Sequence, residues 1–562
     1  MQRVLNMNKN FFNLSFLFVF IICIFSCASN ENNELQIDKK EYSTEEFIEN
    51  KISQIDKVSK TDDLKAFWYS YLLFQEYKTE ISVKEYLEKN LQNSIQNLQN
   101  LYAEQKWFDF CSEYVSLDKI IKNSNIESLI DIFESFSFYE KYIYAQNNII
   151  SLYKDYLLPP NKKTSDKISK MIDGTVTIWI DLGVKIESGK AFSNKAIGSG
   201  FFIDKRGYLI TNYHVISSQV DPEYEGVSKL YIKLSNDTET RIPAKVVGYD
   251  ESLDLALLKT EVTPEYVFAL GSSSSLDIGD KIFAIGSPVG LERTLTSGIV
   301  SAEGRQLFSI GTVMQIDAAV NNGNSGGPII DEFGNVQAIV FAGMLEYQGL
   351  NFAIPVEYLK LLLPRLYYGG KITHSFVGVY GKTVKEKGVE VLWMQKSSSA
   401  RYAGIKEGDI ITAINGEKIS SLEELHLKQI SILPNSIIEY TILNELGEEK
   451  NILVLSDVRA KYPGLDFYNN EQVSNVFYPL FGMKLKNVSS GFGNKYIVES
   501  VVKGSIAYES GFTELDPVKI FRTYLSEKKD VLFSDVYSKK KSNGYLDVSL
   551  VLATPLDSEN FF

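Results

Sequence analysis

The sequence is short of cysteine, histidine and basic charge, and each scarcity excludes something. Of three cysteines in 562 residues, Cys23 and Cys27 lie in or at the end of an apolar leader, leaving Cys111 alone in the body of the chain. A structural intrachain disulfide is excluded there, so stability must come from buried cores. Only three histidines occur, His214, His374 and His426, so the choice of a histidine base is narrow. Lys and Arg number 58 against 71 Asp and Glu, a net charge of −13, and no compact basic patch is present to meet phosphate. That argues against nucleic acid as a partner. No later apolar run reaches membrane-spanning length, so everything after the leader is expected to be soluble. No metal or nucleotide motif is found; no cofactor is expected.

What is present begins with the leader. Arg3 and Lys9 precede an apolar run over 11–26, FFNLSFLFVFIICIFS, which is short for a transmembrane helix and has the layout of an export signal. Ile24-Phe25-Ser26-Cys27 resembles a bacterial lipobox, which would make Cys27 the acylated new N-terminus after removal of 1–27. An uncleaved anchor and ordinary cleavage after Ala28 stay open beside it. All three export the protein.

With 562 residues, 44% of them apolar, three or four folded domains are expected. From 28 to 158 the pattern is helical: Leu87, Leu91, Ile95, Leu98 and Leu101 recur at steps of four and three. Aromatic pairs such as Trp68-Tyr69 and Trp107-Phe108 suit either a helical repeat or a plain bundle. Pro159-Pro160 opens a linker over 159–166. From 167 to 370 the period changes to two, as in Thr175–Ile180, which reads as an all-β domain closed by an amphipathic helix over Val356–Tyr368. An internal repeat follows. Lys396, Ala400, Gly404, Glu407 and Asp409 align without gaps, at an offset of 107, to Lys503, Ala507, Gly511, Glu514 and Asp516. Two copies of one module are therefore expected, over 373–458 and 475–553.

Three segments of the β domain carry the chemistry of acyl transfer, which needs a nucleophile, a base, a carboxylate to hold the base, and donors for an oxyanion. Leu209–Ile216 places His214 at the end of a strand, while His374 and His426 fall in polar segments outside the domain, where surface positions are expected. Asp254 stands in the apolar run Leu253–Leu258; a carboxylate there needs a donor, either a histidine N–H or backbone amides. Asn322-Gly323-Asn324-Ser325-Gly326-Gly327-Pro328 is either a glycine-rich hairpin loop or a tight turn that exposes a nucleophilic serine. Together, in the order His, Asp, Ser, the segments point to a serine hydrolase.

The stretch Gly198–Pro355 resembles the chymotrypsin-like, trypsin-like protease domain of the HtrA/Deg family through GSGFFIDKRGYLITNYHVI, DLALLK, GDKIFAIGSP, TSGIVSA, QIDAAVNNGNSGGPII and GLNFAIP. The resemblance implies a double β-barrel with His214 as general base, Asp254 as its orienting partner and Ser325 as nucleophile. It also implies the Gly323 and Ser325 amides as oxyanion hole, and Val320 and Leu350 as walls of a specificity pocket for small aliphatic residues. Asn351 stands where relatives commonly have glycine. The segment between Leu182 and Ile197 is short for the family, so no loop-built cage is expected. The first repeated module resembles an HtrA-type PDZ domain, an α+β module, with Phe376, Val377, Gly378 and Val379 as the loop that receives a peptide terminus; a merely packing domain stays open. The second keeps Leu480-Phe481-Gly482-Met483, yet Pro517 follows Asp516 without an Asn-Gly turn, and it reads as a degenerate copy.

The whole is thus expected to be multidomain: an all-α N-terminal domain, an all-β protease and two PDZ-like modules. The expected function is ATP-independent cleavage of unfolded or misassembled exported proteins in the bacterial envelope, periplasm-facing and lipid-anchored, in a homotrimer contacting through Ile168–Thr177, with peptide C-termini captured by the first PDZ domain. The alternatives are a chaperone or scaffold with gated or little activity, the gate being loop geometry around Val320–Asn324, and a helical platform that recruits partners.

Overall fold

A computed structural model describes residues 43–155, 157, 168–187, 190–286, 294–321, 323–343, 349–488, 495–540 and 546–562. The leader with Cys27 and the linker 159–166 lie outside the described residues. The chain divides into two compact units, 1–90 and 91–562, and the division falls inside the helix Ile81–Ala103.

In the first unit, Thr44–Val58 and Asp63–Glu76 are helices whose starts are written in the sequence. Ser43 and Glu46 cap each other, with bonds of 3.1 and 3.3 Å, and Asp62 accepts the Lys65 amide at 2.8 Å. Ile55, Phe67, Trp68 and Leu87 are buried, and the buried Asn90 amide donates to Ser70 Oγ at 2.9 Å. No helix among the described residues is long and apolar enough to cross a membrane.

The second unit opens with the helices Trp107–Ser124, Glu127–Glu134 and Phe138–Ser151, joined by stacking such as Tyr114 on Tyr142 at 4.7 Å between ring centroids. The first of these helices is fastened to the edge of the module near 437. Ser116 Oγ accepts the Ile437 amide at 2.9 Å, and Lys119 Nζ donates to Asn415 Oδ1 at 2.6 Å and Ile437 O at 2.9 Å. Burial lowers the Lys119 ammonium to about 8.

The β domain has two lobes. Strands β1 (Thr175–Glu187), β2 (Lys190–Asp204), β3 (Tyr208–Thr211), β4 (Lys229–Leu234), β5 (Asp237–Pro243), β6 (Lys245–Asp250) and β7 (Leu255–Lys259) build the first sheet. Gly370–Lys371 joins it as an eighth strand, parallel to β6. Strands β8 (Lys281–Gly286), β9 (Thr294–Arg305), β10 (Val313–Ile316), β11 (Pro328–Ile330), β12 (Val336–Gly343) and β13 (Asn351–Pro355) close into a barrel. The segment expected to be a short loop is the end of a β-ribbon: β1 and β2 stay paired from Asp181 with Lys195 to Glu187 with Lys190. A helix spans Val356–Tyr368 as its apolar spacing predicts, and it buries Leu359, Leu362, Leu363 and Leu366 in one core with Phe201, Leu255 and Ile339. That shared core fixes the lobes against each other.

The repeat at offset 107 is a structural repeat. Ser398 caps the helix Ser399–Ala403 and Ser505 caps Ile506–Glu509; Ala400 and Ala507 are both fully buried. Asp409 Oδ2 accepts the Lys406 amide at 2.8 Å, and Asp516 Oδ2 accepts the Thr513 amide at 2.9 Å. The copies differ after the shared turn. In the first, the helix Leu422–Ile430 stands between Glu417–Lys418 and Ile437–Leu443, whereas in the second Pro517–Leu525 turns through 526–530 straight into Val531–Lys540. Between these two strands the second copy therefore has no helix to match Leu422–Ile430.

Candidate active site

Each candidate side chain is delivered by the end of a strand. β3 stops at Thr211, and the chain enters a short helix, Tyr213–Val220, so that His214, expected at the end of the strand, sits instead in the first turn of the helix, three residues past Thr211. Asp254 also lies just outside its strand, because Asp250 closes a tight turn by accepting the Ser252 and Leu253 amides at 2.9 and 3.0 Å. That turn leaves Asp254 at φ 52°, the left-handed conformation that aspartate tolerates better than most residues. Asp254 Oδ1 accepts the His214 amide at 2.7 Å, and Oδ2 faces His214 Nδ1 at 2.7 Å. Imidazole and backbone amide thus both meet the carboxylate. The Asp254 side chain is 7% exposed and that of His214 47%. Burial pushes the Asp254 carboxyl up, while its bond to His214 pulls it back. With Nδ1 carrying the shared proton, Nε2 is free to accept one.

Ser325 comes from the other lobe, on the loop between β10 and β11. The glycines around it answer to space. A Cβ on Gly326, at φ 84°, would stand 2.3 Å from Ser199 O and 2.4 Å from Thr211 Oγ1; on Gly327 it would stand 2.3 Å from Ile285 O. β2 clamps the loop from the first lobe, since Ser199 Oγ donates to Gly323 O at 2.6 Å and the Ser199 amide to Ser325 O at 2.8 Å. Gly323 has φ 105°, and among the described residues neither its amide nor that of Ser325 finds an acceptor. The Ser325 hydroxyl lies 3.3 Å from Phe341 O, and the Phe341 ring meets the His214 ring edge-on with centroids 6.4 Å apart. Serine and histidine therefore converge on one residue, Phe341.

Of the other candidates, Val320 is buried in the barrel core with Ile282, Val300 and Met314, and Leu350 is half-buried beside it in sequence to Asn351, whose amide donates to Ala318 O at 2.8 Å. Val377 and Val379, at the start of the strand Val379–Val384, are buried in one cluster with Leu422 and Leu425 of the helix Leu422–Ile430, while Phe376 is buried in another with Tyr380 and Phe467. Gly378 is at φ 76°, where a Cβ would stand 2.5 Å from Ser398 Cβ. The expected surface positions of His374 and His426 are corrected: they are 5% and 4% exposed. His374 Nε2 meets the buried Asp250 Oδ2 at 2.7 Å, and His426 Nε2 bonds Glu559 O at 2.7 Å. Both partners are remote in sequence, so locally polar surroundings gave no sign of burial. Asp250, Ser199 and Phe341 were missed as site residues; the small neighbours of Ser199, Gly198 and Gly200, are the one sequence signal of a close approach there.

The sheet, the barrel and the residues between them define a trypsin-like peptidase domain with PDZ modules behind it, and the comparisons agree. Residues 198–339 match the Trypsin-like peptidase domain family, 390–427 the PDZ domain family and 464–556 the TP0546 family PDZ domain. The chain is homologous to periplasmic serine endoproteases described as DegP-like: that of Hahella chejuensis is 36% identical over 247 residues, 41% of this chain and 50% of the relative. The Brucella suis protein of that description is 36% identical over 343 residues, 58% of this chain and 64% of the relative. The chloroplastic Protease Do-like 1 of Arabidopsis thaliana is 35% identical over 257 residues, 41% of this chain and 56% of the relative. The chain thus spans between half and two thirds of the length of these relatives. Among solved structures, the HtrA-type protease AlgW with a decapeptide superposes with a TM-score of 0.44 at 24% identity, over 52% of this chain and 98% of that one.

Proposed function

We propose that the chain is a serine endopeptidase of the bacterial envelope that cleaves unfolded or misassembled exported proteins without ATP through an acyl-enzyme. The observation that carries this reading is the buried Asp254 bonded at 2.7 Å to His214 Nδ1, with Ser325 brought to the same residue, Phe341. In the reaction, Ser325 Oγ attacks the substrate carbonyl carbon while His214 Nε2 takes its proton. Asp254 holds the imidazole and the charge it gains. The amides of Gly323 and Ser325 receive the oxyanion. His214 then returns the proton to the leaving amine, and water repeats the cycle on the acyl-enzyme. For this step the hydroxyl has to leave Phe341 O and turn towards His214.

Val320 and Leu350 shape the pocket for the residue before the cut, and the loop Phe376–Val379 takes peptide ends by strand addition. Export, the lipid on Cys27 and a homotrimer through Ile168–Thr177 complete the reading. They rest on the leader sequence, the family resemblance and the periplasmic naming of the relatives. The test compares the mature chain with Ser325→Ala on casein, an unfolded protein. Cleavage by the first and none by the second is expected. Equal cleavage by both, or none by the unsubstituted chain at any concentration of a PDZ peptide, overturns the reading; a free thiol at Cys27 in N-terminal mass spectrometry overturns the anchor.

A further inference from the structure

The groove of the first PDZ module is filled by the chain itself. Beyond Leu546–Pro555, the last strand of the second module, the chain turns back and lays 559–562 antiparallel along the strand Val379–Val384. The Val379 amide donates to Phe562 O and the Phe562 amide to Val379 O, both at 3.0 Å, and the Gly381 amide donates to Asn560 O at 2.9 Å. This is the hydrogen-bond pattern of an added strand. Phe562 is 1% exposed and packs in one cluster with Val377, Val379, Val391, Leu422 and Leu425, between the strand and the helix. Gly381 leaves room for its ring, since a Cβ there would stand 2.8 Å from Phe562 Cε1.

The residues before it are held as well. Phe561 is packed edge-on against Tyr380 and Phe467, with centroids at 5.3 and 4.9 Å. His426 Nε2 bonds Glu559 O at 2.7 Å; burial lowers the imidazole to about 4, so it is neutral and donates. Arg459 binds Phe561 O at 3.2 Å and the Asp557 carboxylate at 2.6 Å.

We propose that Glu559–Phe562 is the resident ligand of this groove. The outside ligands are peptides ending in phenylalanine or a side chain of like size and apolarity, and they enter only by displacing it. This rests on reading the module as a peptide-binding PDZ domain. The second module thereby closes the first: the residues that follow its last strand occupy the first groove. A tethered competitor acts at an effective concentration on the order of millimolar. With an intrinsic dissociation constant of ~10 μM for the segment itself, it weakens an outside probe by about a hundredfold.

The experiment uses the full chain carrying Ser325→Ala and fluorescein-labelled Leu-Asp-Ser-Glu-Asn-Phe-Phe, read by anisotropy. Phe562→Asp in the same background is expected to bind the probe about a hundredfold more tightly. A probe ending Phe-Asp should bind neither chain. Equal, measurable binding by both chains overturns the proposal and leaves the PDZ reading intact. Absence of binding to both chains sinks the PDZ reading itself. Because Phe562 is in a core, hydrogen exchange on the chain without Phe562→Asp gives a second measure. The Val379 and Gly381 amides should be protected with no peptide added, and exchange at unprotected rates overturns the proposal whatever Phe562→Asp does to folding.

Discussion

Both carboxylate oxygens of Asp254 end on His214, one on the backbone amide and one on the ring, each at 2.7 Å. The first bond fixes where the helix Tyr213–Val220 begins; the second fixes which ring nitrogen carries the proton. Asp254→Asn preserves the shape but offers an NH₂ or a carbonyl where a charged acceptor stood, and it no longer stabilises an imidazolium. The turnover of casein should fall on the order of 10⁴-fold with little change in KM. A loss under tenfold would mean that the ring is oriented by something else.

A second expectation concerns acid. His426 is buried neutral and titrates at about 4, below the ordinary 6.5 of an unfolded histidine. Between those values the unfolded chain holds one more proton than the folded chain, so stability rises with pH and is lost on acidification. Going from pH 7 to pH 5 should cost roughly 2 kcal/mol through this group alone. Urea unfolding at the two pH values measures it, and His426→Gln should remove that part of the difference. An unchanged difference would show that His426 is not the source.

The repeated aspartates make a third. Asp409 and Asp516 are buried and hold the turn before a strand through the amide three residues earlier, and Asp516 also accepts Thr513 Oγ1 at 3.1 Å. Removing either carboxylate takes the acceptor from an amide of a solvent-exposed turn residue, so Asp409→Ala and Asp516→Ala should each lower the local opening free energy by about 0.5–1.5 kcal/mol. The larger loss is expected at Asp516. Segment-resolved hydrogen exchange reads each module separately.

The parts legible in sequence were those whose chemistry is local. His214, Asp254 and Ser325 each sit in a short motif, and the glycines beside Ser325 report close backbone approaches. The repeat of offset 107 was legible because the same cap, alanine and turn aspartate are needed twice. What stayed hidden depends on contacts across long separations. His374 and Asp250 are 124 residues apart, and His426 is 133 residues from Glu559. Nothing in Glu559-Asn560-Phe561-Phe562 has a period that reveals a strand, because a single added strand with one buried ring has too few residues to show one. The missing helix of the second module had only an indirect sign, the loss of the Asn-Gly turn after Asp516.

Gly370–Lys371 pairs with β6, and three residues later His374 reaches the carboxylate that closes the Asp254 turn. Burial pushes Asp250 up, yet His374 and the turn amides hold it below the usual carboxylate range. A peptidase fragment cut for expression at the end of the helix Val356–Tyr368 would lose the imidazole that meets Asp250 Oδ2 and leave the carboxylate with the Ser252 and Leu253 amides as hydrogen-bond donors. The trypsin-like peptidase domain is therefore expected to keep its full set of contacts only when it carries the first residues of its neighbour.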